Sequence, residues 1–132
     1  MPKVKTVYYA HCQTIYRTPQ EVRDICLLSD LGFSVCNPAD MESEYHEWLD
    51  HHDENIRAYV VSPMSFWINK ITDCDVVAFR ALPDGRIPAG VSKEIEHAKS
   101  IDKLVFELPS NVIGRSIDVK ETIEYLEESG QR

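Results

Sequence analysis

The chain has 132 residues, 43% of them hydrophobic, with a formal net charge of -8 and a pI near 5.0. That length supports one domain with a substantial core and is too short for two ordinary ones. The acidic balance and the lack of a Lys/Arg cluster exclude a nucleic acid polymer as partner, because phosphate contacts need a basic surface, whereas a small polar ligand held by one or two local cations stays open. The segment Met1-Pro2-Lys3-Val4-Lys5 lacks the apolar core and cleavage signal of a secretory peptide, and no stretch is long enough to span a bilayer. The four cysteines, Cys12, Cys26, Cys36 and Cys74, show no C-x-x-C spacing. Reduced thiols, a cytoplasmic location and no membrane association are therefore expected.

Lys5 to Ala10 is rich in β-formers and predicts a central first strand. Thr18-Pro19-Gln20-Glu21 then joins a cap residue, a proline at the first helical position and a glutamate three residues past the cap. A helix follows whose apolar face is predicted from Val22, Ile25, Cys26 and Leu28, with Gly32 as its stop. Phe33 to Asn37 predicts a second strand, which completes a βαβ unit and implies a parallel pair with a right-handed crossover.

Residues 39–61 mix Met41, Tyr45, Trp48, Ile56 and Tyr59 with many acids and histidines. One or two irregular helices over the sheet's carboxyl edge are expected there. The segment has donors enough for a metal but no recognisable ligand spacing, so solvated charge is the better reading and no metal is expected. Met64 to about Thr72 predicts a further helix, and its Phe66 and Trp67 suggest a face that needs a second copy of the chain, hence a homo-oligomer.

Asp75 to Phe79 predicts a buried third strand, followed by a loop through Pro83-Asp84-Gly85 and a helix opening at Gly90, with Glu94 in its first turn. Lys103 to Leu108 predicts a fourth strand, Ile113 a weak edge strand, and Asp118 with Glu121 the capping box of a last helix. The alternation predicts a single domain over residues 1–132: a three-layer α/β sandwich with a doubly wound, Rossmann-like parallel sheet of four or five strands. In such sheets ligands bind beyond the carboxyl ends of the strands, so a carboxylate at position 94 faces a candidate crevice.

Tyr8-Tyr9-Ala10 at the end of the first strand, Asp75-Val76-Val77 in the third, and Gly90 to Glu94 followed by Ala98 together resemble the nucleoside 2-deoxyribosyltransferase-like superfamily, which includes nucleotide N-glycosidases. The likeness spans residues from about 4 to 108. The resemblance implies a carboxylate nucleophile at Glu94, a tyrosine at Tyr8 that orients it, and Asp75 as an acid near the nucleobase. It also implies cleavage or transfer at the N-glycosidic bond of a nucleoside or nucleotide, without a cofactor, in an oligomer with sites near the subunit contact. Pro88 and Glu96 depart from the pattern, which carries an acid and a glycine there, so a non-catalytic nucleotide-binding or sensory domain is the alternative. Ala10, His11, Asp84 and Gly90 complete the expected ligand contacts. Arg17 and Ser92 are candidates for a 5′-phosphate, with Arg80 and Arg86 competing for that role.

Overall fold

A computed structural model describes residues 4–109 and 118–130. Its centre is a four-stranded sheet in the order β2-β1-β3-β4, built from β1 (Thr6–Ala10), β2 (Ser34–Cys36), β3 (Val76–Phe79) and β4 (Leu104–Glu107). All three pairings are parallel, and Tyr8 lies opposite both Cys36 and Val77. The expected position Ile113 lies outside the described residues. The helices are α1 (Pro19–Asp30), α2 (Glu42–His51), α3 (Asp53–Arg57), α4 (Ser65–Thr72), α5 (Ala89–Ser100) and α6 (Val119–Glu128). Among the described residues no helix is long and apolar enough to cross a membrane.

The pleat sorts the core into two layers. Tyr8, Ala10 and Val77 point to one face and pack with Ile71 of α4 and Val91, Ile95 and Ala98 of α5. Val7, Tyr9, Val76 and Ala78 point to the other and pack with Leu28 of α1 and Leu108. Successive side chains of a strand alternate between faces, so a run of apolar residues with helices on both sides is the signature of a doubly wound sheet. Ala98 is fully buried, and its small side chain lets α5 lie close on the strands.

The cap of α1 forms as its residues require. The Glu21 backbone N–H donates to the Thr18 hydroxyl at 3.3 Å, and the Glu21 carboxylate reaches back to the Arg17 N–H at 3.2 Å. Gly32, at φ 95°, ends the helix in the left-handed conformation that glycine adopts without strain. The inward face of α1 differs from the prediction. Val22 and Cys26 are exposed, while Glu21, Asp24 and Leu28 are buried. Polar side chains can take that face because each finds a partner beneath the helix.

Asp24 is the centre of those partnerships. It accepts from the Tyr9 hydroxyl at 2.6 Å, from Gln20 Nε2 at 2.9 Å and from Arg80 Nε at 2.9 Å, with a second, shorter bond from Arg80 Nη2. Arg80 Nη1 also donates to the Pro109 carbonyl at 2.7 Å. Burial works to raise the Asp24 carboxyl, yet the bonds from Arg80 and Tyr9 and the guanidinium charge hold it below its ordinary value.

The segment after β2 covers α4. Tyr45 and Trp48 of α2 place their rings 5.3 and 6.0 Å from Phe66, and Tyr45 lies 4.9 Å from Trp67. Phe66 is thereby buried within its own chain. The aromatic surface that suggested a second copy is largely covered by the chain's own α2, and α4 gives no separate argument for an oligomer.

Asp24→Asn is expected to destabilise the fold by about 3–5 kcal/mol, because it strips the charge partner from a buried guanidinium, whereas Asp24→Leu with Arg80→Met should recover most of that loss. Urea unfolding measures both. An unchanged midpoint for the single variant would show that the pair does not hold β1, β3 and α1 together.

Candidate active site

Tyr8 and Glu94 meet beneath a cavity of about 320 Å³ at the carboxyl edge, where the β1 exit, α4 and the start of α5 converge. Glu94 is the sixth residue of α5, which begins at Ala89, so it lies in the second turn and not in the first as predicted. That register matters. A first-turn glutamate would meet free N–H groups and the positive end of the helix dipole, both of which fall off within one turn. Glu94 has neither and instead faces the sheet, where it is only 8% exposed.

Burial dominates its chemistry. Loss of solvent pushes the Glu94 carboxyl up to about 7, against a weaker downward pull from hydrogen bonding with the Tyr8 hydroxyl. Its Oε2 is buried with no hydrogen-bond partner among the described residues. Tyr8 is itself 1% exposed, and burial first, then the facing Glu94, raise its hydroxyl well above the ordinary range. Tyr16 also lines the cavity and is raised by burial and by the charge of Glu94.

His11 closes the side of the cavity nearest α1. Its ring stacks on Tyr9 at 3.8 Å, its Nδ1 lies 2.8 Å from the Tyr9 carbonyl, and its Nε2 lies 2.8 Å from Glu21 Oε2. A carbonyl only accepts, so Nδ1 carries the hydrogen in the bond to Tyr9, and Nε2 faces the Glu21 carboxylate. His11 is thus held at both nitrogens. Cys12 follows at the cavity wall, where hydrogen bonding from Thr14 lowers its thiol.

The other predicted residues divide. Gly90 lines the cavity, and a Cβ built there meets nothing within 4 Å, so the glycine leaves open space without being required by the backbone. Ala10 is buried beneath, at the end of β1. Ser92 is half-buried on α5 and does not line the cavity. Asp75 lies at the opposite, amino edge, where its carboxylate accepts the Thr6 N–H at 2.8 Å. That bond fixes the start of β1 and keeps Asp75 away from any ligand at Glu94. Asp84 is exposed and closes a turn with Arg86, whose N–H it accepts at 3.0 Å. Arg17 is exposed and directs its guanidinium to Glu42 at 3.3 Å. Neither reaches the site.

Tyr16, Met64 and Trp67 line the cavity and were missed from the sequence as site residues. Tyr16 carried a signal: it stands six residues beyond β1, within the loop that an open parallel sheet uses for ligands. Trp67 carried a misleading one, since an aromatic helix face reads equally as interface or as cavity wall.

A raised folded-state pKa means that Glu94 contributes fully to stability below its ordinary value of 4.5 and loses that contribution as pH rises through about 7. Wild type should therefore lose up to about 3 kcal/mol relative to Glu94→Gln between pH 4 and pH 8, as measured by urea unfolding at each pH. Parallel pH profiles for the two proteins would show that the carboxyl is not desolvated.

No protein-family model matches the chain, and no curated protein or solved structure matches it. The site's geometry accordingly carries the functional argument.

Proposed function

We propose that the Glu94 cavity cleaves or exchanges the N-glycosidic bond of a nucleoside or nucleotide. The observation that carries the reading is a buried carboxyl with one unpartnered oxygen, facing a cavity beside a tyrosine hydroxyl. An N-glycosidic bond breaks through a transition state with positive charge on the sugar ring. A carboxylate in a water-poor pocket stabilises that charge far better than one in bulk solvent, because little dielectric screening intervenes.

In the first step Glu94 bonds to the anomeric carbon as the carbon–nitrogen bond breaks. The electron pair leaves with the base, which takes up a proton from solvent water. In the second step water or another base attacks the same carbon, gives its proton up to solvent and releases the carboxylate. Tyr8 acts by position, since a hydroxyl donating to the carboxylate fixes its plane toward the cavity. The ionised form is the nucleophile, and the developing positive charge favours it as the reaction proceeds.

Incubation with deoxynucleosides, ribonucleosides and their 5′-monophosphates should release free base from at least one class. For that substrate kcat/KM should rise with pH through an apparent pKa near 7. Glu94→Gln should retain less than about a tenth of the rate, a barrier change of at least about 1.4 kcal/mol, while still binding substrate. Tyr8→Phe should lose less activity and should shift the acid limb to higher pH, because the hydrogen bond that lowers the Glu94 pKa is gone. Rapid base release by Glu94→Gln would remove the carboxylate from the mechanism.

A further inference from the structure

A second cavity lies on the other side of the β1 exit. It encloses about 580 Å³, against about 320 Å³ for the Glu94 cavity, and the two share Thr14. We infer that this second cavity is a binding site for a flat apolar ligand carrying one carboxylate or phosphate group. The inference is independent of the chemistry proposed at Glu94.

The position is the first argument. Strands β1 and β3 are neighbours whose chain connections depart in opposite directions, to β2 and to β4, which makes their carboxyl ends the topological switch point where open α/β sheets bind ligands. The Glu94 cavity occupies the α5 side of that point, and the second cavity occupies the α1 side.

Wall chemistry is the second argument. Ile15 comes from the short 3-10 turn between β1 and α1, Pro19 from the first position of α1, and Leu82 and Pro83 from the loop after β3. Prolines have little conformational freedom to lose when a ligand is seated, so such walls favour a flat apolar body. The volume falls within the range of ordinary small-molecule sites.

Arg80 and Arg23 supply the polar end. Arg80 lines the cavity at 7% exposure, and its Nε, Nη1 and Nη2 each donate one hydrogen bond, to Asp24 or to the Pro109 carbonyl. A guanidinium has five N–H donors. Two therefore have no partner among the described residues, on a group that Asp24 holds rigidly in place. Asp24 also neutralises the Arg80 charge, so Arg80 offers direction more than net attraction. The net cation is Arg23, which is exposed, forms no ion pair among the described residues and makes only a long 3.4 Å contact with Gln20. A fixed pair of donors beside one exposed cation matches a single anionic group with at least two acceptor oxygens.

The test uses 1-naphthyl phosphate and 1-naphthoate, which have no N-glycosidic bond, with neutral 1-naphthol as control, titrated into the full chain and followed by methyl NMR. Saturable shifts at Ile15, Ala81 and Leu82 are expected for at least one anion, with a Kd below about 1 mM, and the tighter probe identifies the preferred anionic group. Arg23→Ala should weaken it by about tenfold or more, 1-naphthol should bind about tenfold more weakly than the anion, and Glu94→Gln should leave affinity within about twofold. No saturation, equal affinity in Arg23→Ala, or shifts centred on Val91 at the Glu94 cavity would each overturn the proposal.

Discussion

A strand with hydrogen-bonded neighbours on both edges and helices on both faces leaves its side chains little solvent to face; β1 and β3 are both such strands, and β1 is the one that carries polar side chains there. Val7 through Ala10 are all buried. Two of those positions are tyrosines, and a buried hydroxyl without a partner is costly. The pleat sends Tyr8 to Glu94 and Tyr9 to Asp24, so adjacent residues bring a carboxylate to each face of the same strand. What separates the two carboxylates is the rest of their surroundings. Asp24 also receives two bonds and a full charge from Arg80, and it is held below its ordinary value. Among the described residues Glu94 has no cation to offset its burial, and it is pushed up to about 7. The same donor thus serves a structural anion on one face and a poised, incompletely satisfied one on the other.

That contrast is the physical basis for distinguishing site from scaffold. An unsatisfied buried oxygen costs about 1–3 kcal/mol, and nothing in the packing of α5 requires a carboxyl at that position, since Val91, Ile95 and Ala98 already seat the helix on the sheet. The Asp24 network carries the opposite signature. Every oxygen there has a partner, and its bonds tie α1 to the ends of β1 and β3. A carboxylate whose oxygens are all partnered rigidifies, whereas an open acceptor against a cavity marks the place where a ligand group can complete the set.

Much of the fold was legible because its signals are local. The alternation of apolar runs with the capped starts at Thr18 and Asp118 located the strands and two helices, and the structure matches those caps bond for bond in their first halves: Glu21 N–H to Thr18 and Glu121 N–H to Asp118. Glu94, Tyr8, His11 and Gly90 were expected near one another at the carboxyl edge, and all four are found lining one cavity there. Asp75 was not, because a residue one position before a strand lies at its amino end, and the hydrogen bond it makes to Thr6 depends on register that the sequence does not display. The face of α1 failed for a related reason. Hydrophobicity alone turned Val22 and Cys26 inward, yet Glu21, Asp24 and Leu28 recur at the i, i+3 and i+7 spacing of one helical face, a pattern that becomes visible only once buried acids are allowed partners. Arg80, which supplies Asp24 with its charge, stands 56 positions away.

The segment from His11 to Gln20 contributes to both cavities, and its rigidity decides how independent they are. Arg17 within it takes a left-handed φ of 61°, a strained conformation for a residue with a Cβ, and its N–H is held there by Glu21. The other oxygen of that carboxylate holds His11, whose far nitrogen is fixed by the Tyr9 carbonyl. One side chain therefore ties the α1 cap, the strained turn and the imidazole wall into a single bonded unit. Moving any part of the partition would break a buried hydrogen bond elsewhere in it, at a net cost of about 1 kcal/mol or more per bond. The two cavities are in this sense separate rooms with a shared wall, one lined by a carboxylate oxygen and the other by guanidinium N–H groups that have no partner among the described residues.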